Sequence, residues 1–260
     1  MSWTLRDTWT IARRAFSHWA RRPGPALTAL VFPVMVVLMF NYLLGGQMQV
    51  LGGGEYVEFL LPGMLALTML FGVEATMVAV NTDATKGITD RLRSLPISSL
   101  AVVAGRGVAD LAFAIFGLAA VIACGLAIGW SWHDGLADAA LAFVLLLELR
   151  FALIWAGIYL GLAAKDPQTV VAVQILVWPV GFLSSVFVAP STMPSWLATI
   201  AEWNPVSSTA TAARELFGNP GFSEGSWIAD HALLMAVVWP LVLTALFAPL
   251  AARRYRRLGG

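Results

Sequence analysis

An all-α polytopic membrane protein with six transmembrane helices is the architecture this chain predicts, and three observations carry it. Six apolar runs, at 25–45, 59–81, 102–130, 136–163, 169–189 and 231–252, each reach the ~20 residues a helix needs to cross a bilayer core. The composition, 59% hydrophobic and 12% charged, leaves too little polar surface for a soluble globule of 260 residues. The basic residues also segregate by side. Arg6, Arg13, Arg14, Arg21 and Arg22 precede the first run, while Lys86, Arg91, Arg93 and Arg106 follow the second. Lys165 follows the fourth, and Arg253, Arg254, Arg256 and Arg257 follow the sixth. Of the gaps after runs one, three and five, only the last holds an Arg or Lys, Arg214. Cationic segments resist translocation, so the basic gaps and both termini are expected to be cytoplasmic.

The whole chain reads as one transmembrane domain with an appended helix at its start. In residues 1–24, Leu5, Trp9, Ala12, Phe16 and Trp19 recur at spacings of four and three, with Arg6, Arg13 and Arg14 elsewhere around the helix. A helix with this pattern lies flat on the inner leaflet, with Trp9, Phe16 and Trp19 among the lipid headgroups and Arg13 facing away from them. The competing reading is a basic tail that merely sets topology. Pro23-Gly24-Pro25 is expected to end the helix and turn the chain into the first span. A cleaved signal peptide is not expected, because the first run exceeds the 7–15 residues of a signal core.

Spans one to five then occupy 25–189, interrupted by a charged loop helix at 82–96. Ile88, Leu92 and Leu95 share one face there, and Asp83, Lys86, Asp90, Arg91 and Arg93 cover the rest, up to the break at Pro96. An apolar ridge with a charged rim suits docking to a soluble partner. The alternative is an ordinary interfacial loop helix on lipid headgroups. Residues 190–230 form the only long external segment. Met193-Pro194-Ser195 opens one short helix, Asn204-Pro205 caps and starts a second, and Phe217-Gly218-Asn219-Pro220 stops it. The expected form is a helical hairpin over the outer end of the bundle. Residues 231–260 supply the sixth span and a basic tail.

Ionised groups at membrane depth cost on the order of 3 kcal/mol, so those within the runs should be paired and face protein or water. They are Glu74, Glu148 and Arg150, with Arg106 and Asp110 at the start of the third run. Arg150 is expected to be buried and paired with Glu148 or Glu74, and Arg106 to share a face with Asp110. Helix-fixing ion pairs and a role in a conduit both remain open.

Several functions fail on inventory. A net charge of +1, with basic clusters where topology demands them, gives no basis for nucleic-acid binding. No GxxxxGK[ST] run exists, so the chain cannot hydrolyse ATP itself. His18, His133 and His231 are scattered, with no metal-ligand spacing. Ser184-Ser185 with His231 is the nearest approach to an intramembrane serine protease, and it lacks the Gly-rich nucleophile setting. Cys124 stands alone and reads as a small apolar packing residue.

The run Asp83-Ala-Thr-Lys-Gly-Ile-Thr-Asp-Arg-Leu-Arg-Ser-Leu-Pro-Ile-Ser, followed by Gly105-Arg106 and Asp110, resembles the cytoplasmic loop of ABC-2-type exporter permeases. The closest branch is the daunorubicin/doxorubicin-resistance permeases of actinobacteria, whose segment before the last span is similar to Trp203-Asn204-Pro205-Val206-Ser207 with Arg214. The resemblance covers essentially the whole chain. It implies a permease half-unit of the bacterial plasma membrane that pairs with a second copy, identical or related, and with two ATPase subunits. In such families the N-terminal helix and the loop helix contact the ATPase; here the loop-helix residues are Asp83, Lys86, Gly87, Ile88, Arg91, Leu92, Leu95 and Pro96. ATP and Mg belong to the partner, and no cofactor to this chain. The expected cargo is a hydrophobic drug, a lipid or a lipid-linked product. Polysaccharide or teichoic-acid export is the alternative within the class. Outside it stand a secondary transporter or a membrane scaffold needing no ATPase.

Overall fold

The computed structural model describes residues 6, 8–10, 12–13, 16–17, 21, 23–47, 50, 53–88, 99–164, 166–221 and 226–257. These residues form an all-helical bundle. Five of its helices are long and apolar enough to cross a membrane, and a sixth is apolar but shorter.

Helix α1 (Pro23–Leu44) begins earlier than expected. Pro23 and Pro25 sit in its first turn instead of forming a bend ahead of it, because the first-turn amides of a helix have no intrahelical partner to lose. Helix α2 (Tyr56–Thr85) is the hub of the bundle, buried along most of its length and in contact with α1 and with the helices at Ser99–Ala127, Leu136–Ala163, Pro167–Phe182 and Pro205–Phe217. Helix α3 (Ser99–Ala127) and helix α4 (Leu136–Ala163) follow. Between them Gly129 takes a φ of 100°, a left-handed turn that only glycine enters without strain.

The α2–α4 contact is close because α4 presents small residues. A Cβ on Gly157 would lie 2.9 Å from Thr76 Cβ, and one on Gly161 only 2.6 Å from the Met77 carbonyl oxygen. Backbones that approach this closely gain dispersion contacts over a long seam, which is how helices associate where lipid removes the hydrophobic drive.

Helix α5 (Pro167–Phe182) corrects the predicted fifth span of 169–189. Asp166 caps it by accepting from the Thr169 amide at 2.7 Å and its hydroxyl at 3.1 Å. The helix then stops at Phe182. Sixteen residues span about 24 Å, short of the ~30 Å hydrocarbon core. Pro179 lacks an amide to continue the ladder, and residues 183–189 run on as turns to a short 3-10 segment at Pro190–Thr192.

Two short helices occupy the segment before the last long helix. Helix α6 (Ser195–Glu202) is followed by α7 (Pro205–Phe217), with Asn204 Oδ1 accepting from the Val206 amide at 2.9 Å. Gly218 closes α7 at a φ of 66°, its amide donating to the carbonyls of Arg214 and Glu215. The short α8 (Trp227–Asp230) leads into α9 (Ala232–Arg257), which carries the basic tail as continuous helix.

One placement differs from expectation. Helix α7 does not lie over the end of the bundle but packs between α2, α4 and α9, nearly all of it buried. Trp203, at its entry, meets Trp239 with ring centroids 6.4 Å apart. Trp239 is seven residues into α9, about 10 Å along that helix. At the other end of α7, Phe217 packs edge-on against Trp130 and Phe143. The hairpin therefore dips into the bundle.

Substituting the two kinds of helical glycine separates packing from propensity. Gly161→Ala should lower stability by about 1–3 kcal/mol, since the new methyl meets backbone. Gly107→Ala, which meets nothing within 4 Å, should be neutral or stabilising. Thermal unfolding of the detergent-solubilised protein, read for both variants, checks the contrast.

Candidate functional site

The charged groups within the helices resolve into one buried cluster and two outliers. Arg150, on α4, is 3% exposed. Its Nη2 donates to Thr76 Oγ1 at 2.8 Å, and Thr76 donates in turn to Asp110 Oδ2 at 2.6 Å. Arg150 Nη2 lies 3.8 Å from the same Asp110 oxygen. Three helices thus meet at one hydroxyl, which sits between the cation and the carboxylate. Gly72 makes room for this: a Cβ there would fall 2.5 Å from the Arg150 guanidinium carbon.

This corrects the expected pairing. Arg150 is buried between helices as predicted, but its counter-ion is Asp110 and neither Glu148 nor Glu74. Arg106 in turn pairs with Asp83 at 3.0 Å rather than with Asp110. The reason is helical geometry. Asp110 is one turn further into α3 than Arg106, so each reaches a different level of α2: Thr76 for Asp110 and Asp83 for Arg106. Thr76 was missed because a threonine in an apolar run carries no charge signal. Its spacing of four from Gly72 on a helix of large residues was the available clue.

Glu74 lies on α2 one turn beyond Phe71 and is half-buried. Its Oε1 is buried and accepts no hydrogen bond among the described residues. Glu148 is half-buried beside the exposed stripe of Leu141, Val144 and Phe151 on α4.

The predicted partner-contact residues fall largely at the edge of the described chain. Asp83 lies in the last full turn of α2, so that helix absorbs the start of the expected loop helix. Lys86 is exposed, Gly87 turns the chain at a φ of 67°, and Ile88 is half-buried. Arg91, Leu92, Leu95 and Pro96 lie outside the described residues, as does Trp19. Trp9 and Arg13 are helical and exposed, Trp9 at 61%. The ring of Phe16 lies 6.4 Å from that of Trp9, so two of the predicted stripe residues share a face.

The hairpin residues do structural work that the sequence did not reveal. Arg214 is fully buried. Its Nε donates to Phe59 O at 2.9 Å and its Nη2 to Ser185 O at 2.8 Å and Val186 O at 3.2 Å, with the guanidinium stacked 3.9 Å from the Phe59 ring centre. Asn204 Nδ2 donates to Val180 O at 2.7 Å and Leu183 O at 2.8 Å. Tyr56 donates to Phe187 O at 3.1 Å, and Ser207 Oγ accepts from the Ser185 amide at 2.8 Å. Together they satisfy the backbone freed where α5 stops. Pro205 starts α7, and Trp203 is 58% exposed despite its contact with Trp239. Arg214 was legible in one respect, as the only Arg or Lys in a gap where such residues are otherwise excluded.

Beside this hairpin junction an apolar groove of about 360 Å³ runs between α1, α2 and α5. Phe32, Phe71 and Trp178 meet at its wall with ring centroids 5.0–5.7 Å apart, and Phe40, Phe182 and Phe187 stack further along. A groove of this size and lining accepts a drug-sized apolar molecule.

Residues 6–217 match the ABC-2 type transporter family. The chain belongs to that family. It is 35% identical over 258 residues to the daunorubicin resistance ABC transporter permease protein DrrB1 of Streptomyces coeruleorubidus, covering 98% of this chain and 87% of that one. It is 22% identical over 246 residues to the probable doxorubicin resistance ABC transporter permease protein DrrC of Mycobacterium tuberculosis, covering 94% of this chain and 86% of the relative. The protein is thus a multi-pass membrane permease subunit related to drug-resistance exporters, and not an enzyme.

The Arg150 cluster gives a graded prediction. Arg150→Leu leaves Asp110 without its cation and should sharply reduce the yield of folded permease. Adding Asp110→Asn should recover part of the loss, whereas adding Glu74→Gln or Glu148→Gln should not. Size-exclusion yield across these variants is the measurement. If the cluster serves a conduit instead, Arg150→Leu should give normal yield in a complex whose ATP turnover no longer responds to substrate.

Proposed function

We propose that this permease is the transmembrane half-unit of an ATP-driven exporter of hydrophobic or amphipathic compounds, drugs or lipids among them. It pairs with a second permease copy and is driven by two separately encoded ATPase subunits. ATP and Mg are bound by those subunits. In this reading α5 and residues 183–189 complete a sixth crossing, both termini are cytoplasmic, and the α6–α7 hairpin is external.

The observation that carries the proposal is the groove between α1, α2 and α5. It opens toward the side of the bundle, along the two helices that expose the most apolar side chains, with Met35 and Met39 on α1 and Ile175 and Leu176 on α5. A second copy laid against this face would turn two half-grooves into one chamber between subunits. The names of the relatives, daunorubicin and doxorubicin resistance permeases, agree with a drug-sized apolar cargo.

Coupling enters from the opposite end. Asp83 and Arg106 join the end of α2 to the start of α3 on either side of the loop that carries Ile88, Leu92 and Leu95. A push on that loop by closing ATPase subunits reaches α2 directly, and α2 forms one wall of the groove. The N-terminal segment, with Trp9, Phe16 and Trp19 at the headgroups, provides a second contact beside the membrane.

Two experiments test the reading. Leu92→Asp should abolish co-purification of the ATPase while leaving membrane insertion intact, because a lone carboxylate in an apolar groove is strongly unfavourable; undiminished co-purification would remove the docking ridge from the proposal. Brominated-lipid quenching of single-Trp variants should place Trp9 at headgroup depth in the assembled complex. A Trp9 that stays fully water-exposed there would leave the N-terminal segment as a basic tail.

A further inference from the structure

We propose that the outward face of α4 is a docking seam for a transmembrane helix of another membrane protein, one that carries a lysine or arginine at mid-depth to meet Glu148. The inference goes beyond the exporter reading and does not depend on it.

Leu141, Val144, Glu148, Phe151 and Trp155 follow one another at spacings of three, four, three and four. This is the heptad spacing of a helix that packs lengthwise on another helix. Leu141, Val144 and Phe151 are exposed, and Glu148 and Trp155 are half-buried between them and the bundle. The Phe151 ring stands edge-on to that of Trp155, with centroids 6.2 Å apart, so the seam ends on an aromatic shelf. Helix α4 packs through its other faces on α2, α3, α7 and α9. The groove between α1, α2 and α5 lies across α2 from this seam, and a second copy seated on α1 and α5 leaves the seam open.

Glu148 decides what the seam takes. It lies near the middle of the 28-residue α4, about 18 Å along the helix from Leu136 and about 22 Å from Ala163. An ionised carboxylate at that depth costs on the order of 3 kcal/mol unless a donor reaches it. Among the described residues none donates to it or pairs with it, and the nearby cation on the same helix, Arg150, is held by Thr76 and Asp110. Acyl chains offer no donor. A second copy of this chain offers none either: two-fold contact through the seam would set Glu148 against its own copy, and the described arginines at span depth, Arg150 and Arg214, are buried. A lysine or arginine on a partner helix supplies the missing charge. The apolar residues above and below Glu148 then fix the register, as a single polar position does within an otherwise apolar heptad seam.

The probes are designed transmembrane peptides of about 23 Leu and Ala residues, identical except for Lys, Leu or Glu at the centre. Each is reconstituted with the full chain in phosphatidylcholine vesicles, and association is read by energy transfer to a fluorophore at Gly260. The expected result is saturable association of the Lys peptide, at least about tenfold tighter than that of the Leu peptide, and none of the Glu peptide. Glu148→Gln should lower the affinity for the Lys peptide to that for the Leu peptide. A cysteine one turn from the centre of the Lys peptide should cross-link to Val144→Cys on α4, in a Cys124→Ser background, and not to Ile175→Cys on α5. Equal association of the Lys and Leu peptides overturns the proposal, as does unchanged Lys-peptide affinity in Glu148→Gln or cross-linking to Ile175→Cys alone. Energy transfer between two copies of the chain that Glu148→Gln abolishes also overturns it, by giving the seam to a second copy. Should Glu148→Gln fail to insert, the contrast between peptides and the cross-linking pair on the unaltered carboxylate still decide. No ATPase is present in these vesicles, so the exporter reading stands or falls on co-purification alone.

Discussion

A carbonyl oxygen inside a membrane protein keeps its desolvation cost unless a protein donor reaches it, and the break in α5 exposes several at once. The solution is Arg214. Its planar, branched guanidinium reaches Phe59 O on α2 and Ser185 O and Val186 O beyond α5, so one side chain joins three segments of chain. Asn204, Ser207 and Tyr56 complete the set at Leu183, Ser185 and Phe187. Lysine, with a point-like ammonium, lacks the directed fork that fits this arrangement. Two consequences follow. The hairpin must enter the bundle, because its polar groups are the donors. Phe187 is also fixed where it stacks on Phe40 and Phe182, which shapes the end of the groove.

A second constraint acts at mid-depth. Glycines on both sides of the α2–α4 seam set a short separation, and that separation lets Arg150 pass over Gly72 to reach Thr76 and Asp110. Packing and electrostatics depend on each other here. A side chain at Gly72 would displace the guanidinium, and an unpaired Arg150 would oppose the close approach. The result is a block of α2, α3 and α4 tied by two ionic contacts, Arg150 with Asp110 and Arg106 with Asp83, at different levels.

Helices α1 and α5 stand outside that block. They carry much of the exposed apolar surface, and the groove lies where they meet α2. Helix α2 belongs both to that block, through Thr76 and Asp83, and to the groove, through Leu67 and Phe71.

The chain by itself determined the elements. Apolar runs longer than a bilayer crossing, a cap at Asn204-Pro205 and a stop at Gly218 are local signals, and α7 starts and ends where the last two stand. It also singled out Glu74, Arg106, Asp110, Glu148, Arg150 and Arg214 as groups that membrane depth or sidedness makes costly. Tertiary structure decided what each one touches. Asp110 and not Glu148 or Glu74 meets Arg150, because partner choice depends on helix rotation and on the approach that Gly157 and Gly161 permit. The early end of α5 was not legible either. A helix can continue past a proline when neighbours satisfy the freed groups, and here the neighbours that favour ending it, Asn204 and Arg214, lie 21 residues or more further along the chain. Periodicity reads one helix at a time, and these outcomes belong to contacts between them.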